Sequence, residues 1–121
     1  MGAFQPGLEG QMHALIIEDE MLIALEIEQL LRDLGYDSFD WADSPPTALA
    51  CARGRRPNLI TADLRIIGGT GVEAVEAIIS ELGAIPVVYV TANADLLSAT
   101  PGAKVVSKPI QPRRLAEACA F

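Results

Sequence analysis

The sequence predicts an α/β domain: a doubly wound, five-stranded parallel sheet with helices on both faces. Three observations predict it. Short apolar runs recur along the chain, and each stops at a polar residue: 13–17 at Glu18-Asp19, 57–62 at Asp63, 85–90 at Thr91 and 104–107 at Lys108. Stretches of helical spacing lie between them. The two kinds of stretch alternate along the whole chain, and strands joined through helices pair in parallel with right-handed crossovers.

Each element has its own signal. Residues 1–11 are Gly-rich and aperiodic and read as a flexible tail, with the folded domain over 12–121. Residues 13–17 form the first strand. The lone His13 precedes its apolar core and is expected as a surface or edge residue. Ile23, Ile27, Leu30, Leu31 and Leu34 then mark one face of a helix, and Gly35 suits its left-handed stop. Residues 36–42 alternate loosely and read as a second strand. Asp43 or Ser44 caps the next helix, whose first turn accepts Pro45 and Pro46 because their missing N–H groups cost little there. Gly54 ends it, and Arg55-Arg56 reads as a solvated loop. The third strand runs into Asp63. Gly71 opens a helix with Val72, Val75, Ile78, Ile79 and Leu82 on one side and Gly83 as its stop. Residues 85–90 form the fourth strand, with Pro86 tolerated at its start. Residues 93–99 allow at most a short fourth helix. Residues 104–107 are a brief fifth strand and 111–120 a final helix.

Composition narrows the function classes. The chain has 121 residues, which suits one domain, and half are hydrophobic, which supports a core. Aromatics are only 5%, so that core is aliphatic. A net charge of -7 argues against direct nucleic-acid binding and against docking on an anionic membrane. Two cysteines, Cys51 and Cys119, with no CxxC pair, give neither a disulfide framework nor a metal motif. A reducing, cytoplasmic setting is expected. No apolar run approaches the roughly 18 residues of a membrane span.

In a parallel sheet, every strand that feeds a helix ends at the same edge, where open α/β sheets place their ligands. Glu18, Asp19, Asp63, Thr91 and Lys108 therefore converge. Each has a plain alternative. Asp63 could cap a turn, and the Glu18-Asp19-Glu20 run could be the acidic first turn of a helix. Thr91 could be an N-cap and Lys108 a solvated charge. Singly, the plain reading is the stronger one. At four strand ends at once, it is the weaker. Crowded carboxylates repel by about 4 kcal/mol per pair at roughly 4 Å and an effective dielectric of about 20. A hard divalent cation relieves that repulsion, and oxygen ligands with water left in the shell suit Mg²⁺. Acids with a metal, a lysine and a hydroxyl make a site for a phosphoryl group, with Asp63 as nucleophile.

With these residues in this order, the chain resembles a response-regulator receiver domain of two-component signalling. The pieces that carry the resemblance are Leu15-Ile16-Ile17-Glu18-Asp19-Glu20, Leu59-Ile60-Thr61-Ala62-Asp63-Leu64, Val88-Tyr89-Val90-Thr91-Ala92 and Ser107-Lys108-Pro109. The resemblance implies the flavodoxin-like strand order 2-1-3-4-5. It implies Asp63 as phosphoacceptor and Asp19 as a direct Mg²⁺ ligand, with Glu18 acting through water. Arg65 would lend its backbone carbonyl to the metal. Thr91 matches the switch hydroxyl, Lys108 the lysine that pairs with a phosphoryl oxygen, and Pro109 the residue that usually follows a cis bond. Gly71 matches the glycine opening the third helix. The implied partners are a sensor histidine kinase or histidine phosphotransfer protein upstream and a protein target downstream. The implied role is signalling rather than turnover of a substrate.

The chain also departs from that family. Ile67 stands four residues after the acceptor, where proline is common, and Val105 stands three before the lysine, where an aromatic switch residue is common. The segment from Thr91 to Lys108 is short, so the fourth helix is expected to be short or irregular. The Thr91-Ala92 strand end, with a short polar helix after it and a Lys-Pro-apolar ending at Lys108-Pro109-Ile110, is similar to the receiver halves of general-stress regulators of α-proteobacteria. Whether the chain is a stand-alone receiver or part of a longer regulator stays open. A degenerate receiver that binds partners without phosphorylation is one alternative. An Asp-nucleophile phosphatase of the haloacid dehalogenase type is another, disfavoured because Arg65 stands where that family needs a second Asp.

Overall fold

The chain is described by a computed structural model over residues 11–92 and 104–121. The elements are β1 (His13–Ile17), α1 (Met21–Asp33), β2 (Ser38–Ala42), α2 (Pro45–Gly54), β3 (Leu59–Ala62), β4 (Arg65–Ile66), β5 (Gly69–Thr70), α3 (Gly71–Leu82), β6 (Val87–Thr91), β7 (Lys104–Ser107) and α4 (Pro112–Ala118). The main sheet is parallel throughout, in the order β2-β1-β3-β6-β7. Set aside the small antiparallel ribbon β4–β5, and this is the expected order 2-1-3-4-5. The expected fourth helix over 93–99 lies outside the described residues.

Central strands buried on both faces read as continuous apolar runs, and β1 and β3 are buried at every position. Alternate side chains feed two cores. Leu15, Ile17, Ile60 and Ala62 pack with Ala48 and Ala52 of α2 and Ala74, Val75 and Ile78 of α3. Ala14, Ile16, Leu59, Val88 and Val90 pack with Ala24, Ile27 and Leu31 of α1 and Leu115 of α4. The face of α1 is thus centred on Ala24, Ile27 and Leu31. Leu34, expected on it, is the C-cap and is exposed, because the helix ends one residue earlier.

Local chemistry sets the element ends. Ser44, rather than Asp43, caps α2, in a reciprocal box with Thr47. Thr70 and Glu73 form the same box ahead of α3. Gly35 and Gly83 take positive φ at the helix stops. β2 starts at Ser38, later than expected, because the Tyr36 N–H still closes the end of α1 on the Leu31 carbonyl. β3 starts at Leu59 because Asn58 is spent on His13: its side chain accepts the His13 N–H at 2.7 Å. β6 runs over 87–91, starting later and ending later than the expected 85–90; Pro86 offers only a carbonyl, which accepts the Ile60 N–H. Arg55 and Arg56 are exposed but anchored, Arg55 to Ser38 and Gln11, Arg56 to the carbonyls of Leu82 and Ala84.

His13 corrects the expectation of a surface or edge residue: it is 3% exposed. The register sets His13 beside Ser38 of β2, so polar side chains flank it. Its Nδ1 lies 2.8 Å from Ser38 Oγ and its Nε2 lies 2.9 Å from Asp40 Oδ2. Arg55 also donates to Ser38 Oγ, so Arg55, Ser38, His13 and Asp40 form one chain of polar contacts. The imidazole is a buried polar tie between β1 and β2, at the pole of the sheet opposite Asp63.

Candidate functional site

The sheet register delivers the site. Ile17 at the end of β1 pairs with Ala62 at the end of β3, so Glu18 and Asp63 leave their strands side by side. The Asp63 N–H donates to the Ile17 carbonyl at 2.9 Å, and the Glu18 N–H to the Ala42 carbonyl at 2.8 Å. Thr91 pairs with Ser107, and the Lys108 N–H donates to the Thr91 carbonyl at 3.1 Å, which starts the lysine from the same edge. The Lys108–Pro109 peptide that follows is cis.

Lys108 ties the site together. Its Nζ lies 2.9 Å from Asp63 Oδ2, 3.0 Å from Glu18 Oε1 and 3.4 Å from Glu20 Oε1. Burial by itself would push the ammonium pKa down. The contacts with Asp63 and Glu18 and their negative charges outweigh that and hold it above the usual lysine value. Glu18 is the opposite case. Its carboxyl is fully buried, and burial first, with the Asp63 charge in addition, pushes its pKa up to about 7 against the pull of Lys108. Glu18 Oε1 meets Lys108 as an ion pair without hydrogen-bond alignment, so this buried oxygen has no aligned donor.

Both oxygens of Asp63 are held. Oδ2 faces Lys108, and Oδ1 accepts the Leu64 N–H at 2.7 Å. The residue is 7% exposed. The turn after it is shaped by the β4–β5 ribbon, which brings Gly71 back so that its N–H donates to the Leu64 carbonyl.

Glu18, Asp19, Glu20 and Asp63 each offer a carboxylate oxygen, all within 4.8 Å of one another. Such an all-oxygen donor set, with one buried oxygen lacking a donor, fits a hard divalent cation of the Mg²⁺ type. Beside it, a cavity of about 340 Å³ is walled by Asp19, Glu20, Asp63, Arg65, Ala92 and Lys108. Of the residues singled out in the sequence, Glu18, Asp19, Asp63 and Lys108 come together directly. Arg65, on β4, lines the same cavity, and Thr91 is fully buried at the end of β6. Glu20, in the sequence one of three adjacent acids with no role of its own, reaches Lys108. The Glu-Asp-Glu spacing carried that signal: the chain turns within these three residues, and the Glu20 N–H donates back to Glu18 Oε2 at 3.2 Å.

Comparison with known proteins agrees with this arrangement. The sequence matches the family described as response regulator receiver domain over residues 14–120. It is 36% identical over 103 residues to the phyllosphere-induced regulator PhyR of Methylorubrum extorquens, covering 81% of this chain and 38% of PhyR. The chain thus spans about two fifths of that curated relative. The solution structure of the receiver domain of Erythrobacter litoralis PhyR superposes with a TM-score of 0.80 at 32% identity, covering 91% of this chain and 88% of that domain. PhyR of Bartonella quintana, described as an anti-anti-sigma factor, superposes with a TM-score of 0.77 at 30% identity, covering 89% of this chain and 45% of that one. With its sheet order, its acidic strand ends and its lysine in place, the chain belongs to the response regulator receiver domain family.

Proposed function

We propose that the chain is a phosphoacceptor that takes a phosphoryl group onto Asp63 and converts it into a change of protein contacts. The observation that carries this reading is Lys108 Nζ, 2.9 Å from Asp63 Oδ2, at the mouth of a cavity lined by further carboxylates. A sensor histidine kinase or a histidine phosphotransfer protein presents phosphohistidine. A carboxylate oxygen of Asp63 attacks phosphorus, the P–N bond breaks, and the imidazole leaves with the bonding pair and regains a proton. Glu18, Asp19 and Asp63, with the Arg65 backbone carbonyl, would hold Mg²⁺. When bound, Mg²⁺ neutralises charge on the phosphoryl oxygens during transfer.

Lys108 then meets a phosphoryl oxygen instead of a free carboxylate, and the Thr91 hydroxyl meets another. Contacts made better in one conformation than in another shift a pre-existing equilibrium. The acidic surface argues for a protein target rather than nucleic acid or an anionic membrane. Similarity to regulators that include an anti-anti-sigma factor supports an output of protein–protein contact in the cytoplasm. Among the described residues, no helix is long and apolar enough to cross a membrane.

Intact mass spectrometry after incubation with acetyl phosphate and Mg²⁺ tests the reading. One phosphoryl adduct is expected, lost without Mg²⁺ and lost in Asp63→Asn. A folded wild-type protein that never gains the adduct would overturn it in favour of a module that binds without being phosphorylated.

A further inference from the structure

The phosphoacceptor reading leaves Glu20 without a task, yet Glu20 occupies a special place. It is the one solvent-facing member of the trio around Lys108: its side chain is 65% exposed, against 0% for Glu18 and 9% for Asp63. It accepts a hydrogen bond from Lys108 Nζ at 3.4 Å and forms part of the cavity wall through which a donor reaches Asp63. Lys108 has three N–H donors: hydrogen bonds take one to Asp63 and one to Glu20, while Glu18 pairs with the ammonium by charge. An arriving phosphoryl group needs one of those donors. The longest and most exposed of the three contacts, to Glu20, is the one it displaces most readily.

We propose that Glu20 is a positioning residue and an electrostatic gate. It holds the Lys108 donor that faces the cavity mouth, and its charge there repels small anionic phosphodonors, which favours phosphoryl groups delivered by a docked protein. A docked partner offsets the repulsion through its own contact surface. A small donor in solution has nothing to set against it. The inference rests on the phosphoacceptor reading and adds to it a specificity between donor classes.

The test compares acetyl phosphate with phosphoramidate, which carries less net negative charge at neutral pH. In the first, the P–O bond to acetate breaks as the bond to an Asp63 oxygen forms, and acetate leaves with the bonding pair. In the second, the P–N bond breaks and the nitrogen leaves as ammonia after protonation. With Mg²⁺ present, Glu20→Gln should raise the initial rate of adduct formation from acetyl phosphate by about threefold to tenfold. The rise should be smaller with phosphoramidate and should fade at high salt. Glu20→Asp, which keeps the charge but shortens the reach to Lys108, should fall between wild type and Glu20→Gln.

A readout that involves neither metal nor donor accompanies it. In protein labelled at lysine Cε, without Mg²⁺, the Lys108 methylene signal should shift in Glu20→Gln. Equal rate changes with both donors, no change at all, or an unmoved Lys108 signal would overturn the gate. In those cases, adduct formation on wild-type Asp63 would still uphold the phosphoacceptor reading. Absence of any adduct, in wild type and both variants with both donors, would overturn the two together.

Discussion

Gly71 lies so close to Asp63 that a Cβ built on it would come 1.9 Å from the Asp63 carbonyl oxygen and 3.2 Å from the Ala62 side chain. Backbone cannot yield as a flexible side chain can, so any residue but glycine at the start of α3 must push the acceptor strand aside. Gly71→Ala should lower stability by about 1–3 kcal/mol, the usual cost of overpacking a tight site. It should also slow phosphoryl uptake, because Asp63 and Lys108 leave their mutual register. Urea unfolding and adduct formation, measured on the same variant, check both effects. A stable and fully active Gly71→Ala would show that this turn can relax.

Lys108 serves as the internal cation of the acid cluster. Replacing it with methionine leaves the buried Glu18 carboxyl and Asp63 without their partner. Losing the partner of a buried charged group costs about 1–3 kcal/mol or more. Lys108→Met should therefore be less stable than wild type without metal. It should then gain more stability than wild type from added Mg²⁺, because no ammonium competes for the same oxygens. Urea midpoints with and without Mg²⁺ decide it. Equal gains from Mg²⁺ in the two proteins would mean that Lys108 and the metal do not share ligands.

The sheet and most of the site are legible in the sequence because they rest on strong, local signals. The runs 14–17 and 59–62 are apolar but for Thr61 because β1 and β3 are buried on both faces, and the charged residues follow where the strands end. That is also why Glu18, Asp19, Asp63 and Lys108 stand out. The burial of His13 is not legible in the sequence, because it depends on which residues of β2 lie beside it, a matter of inter-strand register. The β4–β5 ribbon is hidden for a related reason. Arg65-Ile66 and Gly69-Thr70 are too short for periodicity, and only their pairing reveals them. Glu20 does not stand out in the sequence because adjacent acids at a strand end look alike until the Lys108 side chain selects among them.

Trp41 gives a direct view of the metal. It is the only tryptophan in the chain, and it shares a pocket of about 230 Å³ with Glu18, Asp19 and Met21. Its Nε1 donates to Glu28 at 2.9 Å, which holds the indole in one orientation beside α1. Mg²⁺ bound by the neighbouring acids should therefore change Trp41 fluorescence in a saturable way. Asp19→Asn should weaken the apparent affinity by at least about tenfold, as expected when a ligand loses its charge. Titration of both proteins checks it. Matching affinities would remove Asp19 from the metal site.

Thr61 presents the reverse of the tidy polar bonding around Asp63. It sits between Ile16 and Val88 in the middle of the sheet, fully buried, and its hydroxyl has no hydrogen-bond partner among the described residues. A buried hydroxyl without a partner costs about 1–3 kcal/mol, and removing it relieves that cost. Valine has nearly the same shape and suits a strand interior. Thr61→Val should therefore raise stability by about 1 kcal/mol, read as a higher urea midpoint at an unchanged slope. Thr61 lies on β3 two residues before Asp63, which follows the strand's end, so the variant also asks whether β3 needs slack there. Greater stability with unchanged adduct formation would mark the hydroxyl as a plain structural cost. Greater stability with slower uptake would mean that a loosened β3 helps Asp63 take the phosphoryl group. A loss of stability would mean that the hydroxyl is bonded after all, most simply to a buried water between the strands.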